Sequence, residues 1–230
     1  DHRPDKMHFT FGLAQLRMPK LPIAFSVAEG NKLDKQHFAK TFKRTLKALD
    51  PESLIIIDRG ANTQENKNLI RENQHHYLCA ASLSIKVDSR IKAYDKSQAK
   101  IIEDKMEQKT YCISYEENGE FNLLYFSEKL HSDTIKRKRT TAQKESKLGK
   151  ELEKKLLSKR KKKKLTKNTP NYLVEEKVEL QQRLAGMSCK KLEEYLFEQS
   201  IDGREGFFLL KSSKDLTEKE ALTTYRNRDV

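Results

Sequence analysis

The 230-residue sequence predicts an α/β layered core interrupted by a largely helical, basic insertion. Three observations predict it. Apolar residues near the start alternate at period two and then recur at helical spacing. The run Leu54-Ile55-Ile56-Ile57 is unbroken, β-branched and short, as in a strand covered on both faces. All of the +13 net charge falls in one tract.

The elements follow in order. Phe9, Phe11 and Leu13 alternate with smaller residues and, after a turn at Arg17-Met18-Pro19-Lys20, Ile23, Phe25 and Val27 alternate again, which predicts a β-hairpin. Asp34 is placed to cap a helix whose apolar positions Phe38, Phe42, Leu46 and Leu49 recur at helical spacing until Asp50-Pro51 stops it. The buried strand then ends at Asp58-Arg59-Gly60, Thr63 caps a second helix with Leu69 and Ile70 inward, and Tyr77 to Ala81 forms another short strand.

Beyond Leu83 the pattern predicts a strand through Ile85 and Val87 and a short helix near Ile101 and Ile102. Tyr111 to Tyr115 and Phe121 to Phe126 then flank Asn118-Gly119, a strong hairpin turn signal. Leu148, Leu152 and Leu156 make a narrow stripe on a Lys-rich helix, and Leu173 to Leu184 suggests another. Phe207 to Leu210 reads as a buried strand, and Thr217 with Glu220 as a capping box opening a last helix that has no stop signal before Val230. Both ends of the sequence read as cuts through a longer chain.

The hydrophobic fraction is 36% and the charged fraction 35%, so folded segments alternate with a solvated tract. No apolar run approaches the roughly 20 residues of a membrane span, and there is no signal-peptide pattern. Cys79, Cys112 and Cys189 lie far apart, as three small core residues rather than a disulfide framework or zinc site. Between Lys136 and Lys167 sixteen Lys or Arg face only Glu145, Glu151 and Glu153, while the remainder is balanced at 31 against 31. Such a block is a footprint for a polyanion, with a merely solvated charge run as the alternative.

A carboxylate at the end of a buried strand sits at a sheet's carboxyl edge, where α/β folds place their sites. Asp58 is such a residue; Gly60 permits a sharp turn after it, and Asn66 on the next helix is placed to support the site. An ordinary strand-to-helix turn is the alternative.

The opening His2-Arg3-Pro4-Asp5, then Gly12-Leu13, Ala28-Glu29-Gly30-Asn31-Lys32-Leu33-Asp34, Ile55-Ile56-Ile57-Asp58-Arg59-Gly60, Glu65-Asn66, Ser200-Ile201-Asp202-Gly203 and Tyr225-Arg226-Asn227-Arg228 occur in an informative order. That order resembles the catalytic domain of DDE insertion-sequence transposases of the Y-R-E-K signature subgroup. The resemblance covers residues 1–81 and 200–230, the middle matching only as a variable insertion. It implies an RNase H-like mixed sheet flanked by helices, divided as a first core part over 1–83, an insertion over 84–199 and a final core part over 200–230. It implies metal-dependent DNA cleavage and strand transfer with two Mg²⁺ or Mn²⁺ ions, double-stranded DNA as partner, a homodimer, no membrane, and a cytoplasmic, nucleoid-associated place in a prokaryote.

By the same resemblance Asp58 is a metal-binding catalytic carboxylate, Arg228 contacts phosphate and Tyr225 helps place it. The family's first aspartate would precede Asp1 and its final glutamate would follow Val230, so residues 1–230 alone are expected to be inactive. DNA would be gripped by Lys136, Arg137, Lys138 and Arg139 and by Lys159, Arg160, Lys161, Lys162, Lys163 and Lys164. The rival expectation is a non-catalytic basic nucleic-acid-binding protein or the relic of a decayed element.

Overall fold

The computed structural model describes residues 9–17, 19–30, 34–105, 108–159 and 187–229. It contains two compact units, one formed by the chain up to Ser127 together with Phe207 onward, the other by Glu128–Gly206.

In the first unit β1 (Phe9–Gln15) and β2 (Pro22–Glu29) form the expected antiparallel hairpin, a two-stranded sheet of its own. A larger sheet contains β3 (Leu54–Ile57), β4 (His76–Ala81), β5 (Lys100–Lys105), β6 (Gln108–Glu117), β7 (Glu120–Ser127) and β8 (Phe207–Ser212) in the order β3-β4-β8-β7-β6-β5. Only β3 and β4 are parallel, joined by α2 (Gln64–Glu72); the other neighbours are antiparallel. The fold is therefore mixed α/β, a six-stranded mixed sheet flanked by helices. On one face α1 (Asp34–Thr45) and α2 cover Ile57, Tyr77 and Cys79, and α3 (Ile85–Lys92) covers Leu124 and Leu209. On the other, Leu78, Leu123, Tyr125 and Leu210 pack on Ala221 and Leu222 of a helix spanning Glu218–Arg226. The β6–β7 hairpin turns at Asn118-Gly119, both at positive φ, as a primed two-residue turn requires.

Several expectations are corrected. Ile85 and Val87 belong to a helix, because Val87 and Ile91, four apart, both reach the Leu124–Leu209 cluster; two apolar residues two apart do not separate the periods. Ile101 and Ile102 lie on β5, where pairing with β6 overrides a helical reading. Residues 84–127, grouped by sequence with the insertion, complete the large sheet, since β7 buries nearly all its residues beside central β8. The last helix does stop, at Arg226 with Asn227 as C-cap, before a 3₁₀ turn over Asn227–Asp229. Finally β3, expected to be covered on both faces, is the outermost strand of its sheet and only half-buried before Ile57.

The second unit holds α4 (Glu128–Lys159) and α5 (Cys189–Ser200), the latter not read from sequence. Ala142, Ser146, Leu192 and Glu205 are among its buried positions. Leu148, Leu152 and Leu156 lie on the α4 backbone, and Leu173–Leu184 lies outside the described residues. We number the Glu218–Arg226 helix α6. Among the described residues no helix is long and apolar enough to cross a membrane.

Cys79 and Cys112 are buried as expected of core residues, but Cys189 is exposed. Burial pushes the Cys79 thiol up to about 11 and the Cys112 thiol up to about 12, so both stay protonated at neutral pH. An aromatic disulfide reagent under native conditions is expected to label Cys189 rapidly and the other two only on unfolding. Rapid release of more than one equivalent of chromophore would contradict this packing.

Candidate functional site

β3 delivers Asp58 to the carboxyl edge of the sheet, where its side chain is 74% exposed. Its Oδ1 accepts the Arg59 N–H at 2.7 Å and so caps the 3₁₀ turn Arg59–Ala61. That turn is pinned to the parallel neighbour: Asn62 Nδ2 donates to the Ala80 carbonyl at 2.8 Å and Arg59 Nη2 to Ser82 Oγ at 3.1 Å. Asn66 supports the turn rather than Asp58 itself, its buried amide donating to the Ala61 carbonyl at 2.8 Å. Gly60 lies inside the turn and is not among the residues at positive φ, so left-handed freedom is not its role.

The other end of the sequence meets this corner. Tyr225 packs against the cluster beneath α6, and the Arg228 guanidinium lies 4.0 Å from its ring centre. Arg228 Nη2 is 3.6 Å from Asp58 Oδ1, across 170 positions of sequence. This is an ion pair at the long end of the range and half in solvent, worth little to stability. Its interest is positional. Arg17, not singled out from sequence, joins the same end by donating to Thr224 Oγ1 of α6 at 3.1 Å. Arg17, Asp58 and Arg228, with Lys20 and Asn227, line a cavity of about 700 Å³ that is bordered by β1, β3 and α1 and that Tyr225 and Thr224 do not line.

No protein family, curated protein or solved structure matches the chain. Among the described residues no three His, Cys, Asp or Glu side chains come together to hold a metal ion. One exposed carboxylate does not suffice for two divalent ions, which need several oxygen ligands. What the corner offers is one carboxylate and an adjacent guanidinium held rigidly, a pairing that can position an anionic, phosphate-bearing substrate beside Asp58.

The basic positions divide. Lys136 and Arg137 on α4 are exposed. Lys138 is drawn inward, donating to Glu205 Oε1 and the Ser200 carbonyl, both at 2.5 Å, and Arg139 lies over the Phe197 ring at 4.3 Å. Burial acts against the Glu205 carboxylate, but Lys138 and local main-chain donors outweigh it and hold Glu205 down at about 2. The Lys159 side chain and residues Arg160, Lys161, Lys162, Lys163 and Lys164 lie outside the described residues.

Sequence reading missed two buried polar clusters. Glu120 opens β7 with its carboxylate bound by Lys67 Nζ at 2.9 Å, Lys211 Nζ at 2.8 Å and the Tyr77 hydroxyl. Ser26 Oγ sits 2.5 Å from His37 Nε2 and 2.6 Å from Thr41 Oγ1, beneath β1 at Gly12. The only available signals were Gly12 within an apolar strand and a serine alternating with Phe25 and Val27.

Proposed function

We propose that the chain is a fragment of a DDE-type transposase core with an RNase H-like fold, cleaving and joining DNA with divalent metal. One observation carries the reading. Asp58, Tyr225 and Arg228, chosen by resemblance from opposite ends of the sequence, converge on one corner at the carboxyl edge of the sheet. In this reading Asp58 is one metal ligand, Arg228 grips the phosphate beside the cleaved bond and Tyr225 holds the guanidinium in place. The ions, Mg²⁺ or Mn²⁺, would activate the attacking oxygen and stabilise the leaving one. The reading requires further carboxylates beside Asp58, since one exposed carboxylate does not hold two divalent ions. Lys136 and Arg137, with the basic residues from Lys159 to Lys164, supply sequence-independent grip on duplex DNA. A homodimer and a nucleoid-associated location accompany the reading.

A second reading, a basic nucleic-acid-binding protein without catalysis, is favoured by the lack, among the described residues, of any group of three His, Cys, Asp or Glu side chains placed to hold a metal ion. The experiment separates them. A longer protein carrying native flanks at both ends is incubated with duplex DNA containing the element ends. Nicking that appears with Mg²⁺ or Mn²⁺ and disappears with a chelator is expected; tight binding with no nicking in either metal would favour the second reading.

A further inference from the structure

Edge strand β5 carries a bulge. Lys100 and Ile101 oppose Cys112 and Tyr111 of β6, Glu103 opposes Thr110, and Ile102 is the extra residue between them. In an unbroken strand Lys100 and Glu103, three positions apart, would lie on opposite faces of the sheet. The bulge brings both to the face on which α6 packs, the face of Cys112. Lys100 Nζ donates to Glu218 Oε2 at 2.8 Å, and Arg226 Nη1 donates to both carboxylate oxygens of Glu103 at 2.7 Å.

The spacings agree. Glu218 and Arg226 are the first and last residues of α6, which separates them by about 12 Å along the axis. Lys100 and Glu103 stand about 10 Å apart along β5. Each carboxylate is also held from β6: Ser114 Oγ donates to Glu218 Oε1 at 3.1 Å and Thr110 Oγ1 to Glu103 Oε2 at 3.2 Å. β5 and β6 thus splint α6 at both of its ends. Arg228 lies just beyond the second, in the 3₁₀ turn that follows Arg226. Its own contact with the exposed Asp58, at 3.6 Å, is too long and too wet to fix the helix.

We propose that Glu103 is a positioning residue for the Asp58 corner, acting through Arg226. It fixes the end of α6, and so the place from which Arg228 reaches Asp58, although β5 and β3 are the opposite edges of the sheet. The bulge at Ile102 is what aims the Glu103 carboxylate at Arg226. A misplacement of about 1 Å at a group that positions substrate slows a reaction by about a hundredfold, so an exposed ion pair of little worth to stability matters here through geometry. The inference rests on the phosphodiester reading for its purpose, and on the bulge and the two ion pairs for its geometry.

Two variants test it: Glu103→Arg, which sets two guanidinium groups against each other, and the swapped pair Glu103→Arg with Arg226→Glu, which restores the bridge reversed. In the 230-residue chain, amide NMR should show the Asp58 and Arg59 resonances shifted in Glu103→Arg and returned in the swapped pair, with Leu78 and Leu123 unmoved in both. Glu103→Gln, which keeps the shape and drops the charge, should shift the same two amides by less, and it decides the matter where the arginine variant misfolds. In the longer protein with native flanks, kcat for metal-dependent nicking should fall about tenfold in Glu103→Arg, with KM for duplex DNA within about twofold, and recover in the swapped pair. Asp58 and Arg59 amides that stay in place, or a native kcat in Glu103→Arg, would overturn the proposal. Absence of nicking by the native longer protein would count against the phosphodiester reading, and the amide shifts would still decide whether Glu103 orients this corner.

Discussion

Glu120→Ala is expected to lower the unfolding free energy by about 3–5 kcal/mol, among the largest single-residue losses in the molecule. The magnitude comes from what the substitution leaves behind. Lys67 is buried, and with Lys211 and the Tyr77 hydroxyl it converges on this one carboxylate. Removing the anion strands two cations and a phenol in a low-dielectric site, each of which then carries its desolvation cost without compensation. Burial pushes the Glu120 carboxyl up, but hydrogen bonds from Lys211, Lys67 and Tyr77 prevail and hold it at about 2, from an ordinary value of 4.5. A carboxyl depressed in the folded state contributes fully above its unfolded value, and its contribution is lost as pH falls through the folded one. Urea midpoints should therefore fall between pH 4.5 and about 2 in the native protein, and fall less in Glu120→Ala. An alanine variant with an unchanged urea midpoint at pH 7 would show that the network is not a net support.

The second large effect is expected at Gly12. A Cβ there would stand 2.6 Å from Thr41 Oγ1, 3.1 Å from the His37 ring and 3.2 Å from Ser26 Oγ. These are the members of the buried cluster that docks the hairpin on α1. Thr41 donates to the His37 carbonyl, so Ser26 donates to Thr41 and accepts from His37 Nε2, a closed set with no room to shift. Gly12→Val forces either an overpacked contact or an unsatisfied polar group, about 2–4 kcal/mol in all. The loss should be local: amide exchange should accelerate in β1 and β2 while Leu78, Leu123 and Leu210 of the large sheet keep their protection. Uniform acceleration across both sheets would mean that the hairpin and the sheet unfold as one.

How far the sequence could be read follows from which interactions are local. The hairpin, α1, β3, α2 and the Asn118-Gly119 turn are written in periodicity, caps and turn residues within a dozen positions of one another. Asp58 was legible as a strand-end carboxylate for the same reason. Its approach to Arg228 was not, because it depends on β8 pairing beside β4 and on α6 crossing the far face, a register set by Leu78, Leu210 and Leu222 rather than by any local signal. The Ile85–Val87 error arose because two apolar residues two positions apart do not separate the strand period from the helical one. Glu120 was invisible for a different reason: a charged residue after a tight turn usually faces water, and only the packing of α2 and β8 around it turns it into a buried ion.

In the longer protein with native flanks, Asp58→Ala should reduce divalent-metal-dependent nicking of element-end DNA to background while the affinity for that DNA in the absence of metal stays within about twofold, since phosphate contacts by cations dominate binding. Nicking by the alanine variant at the native rate would contradict the assignment of this corner as the catalytic site.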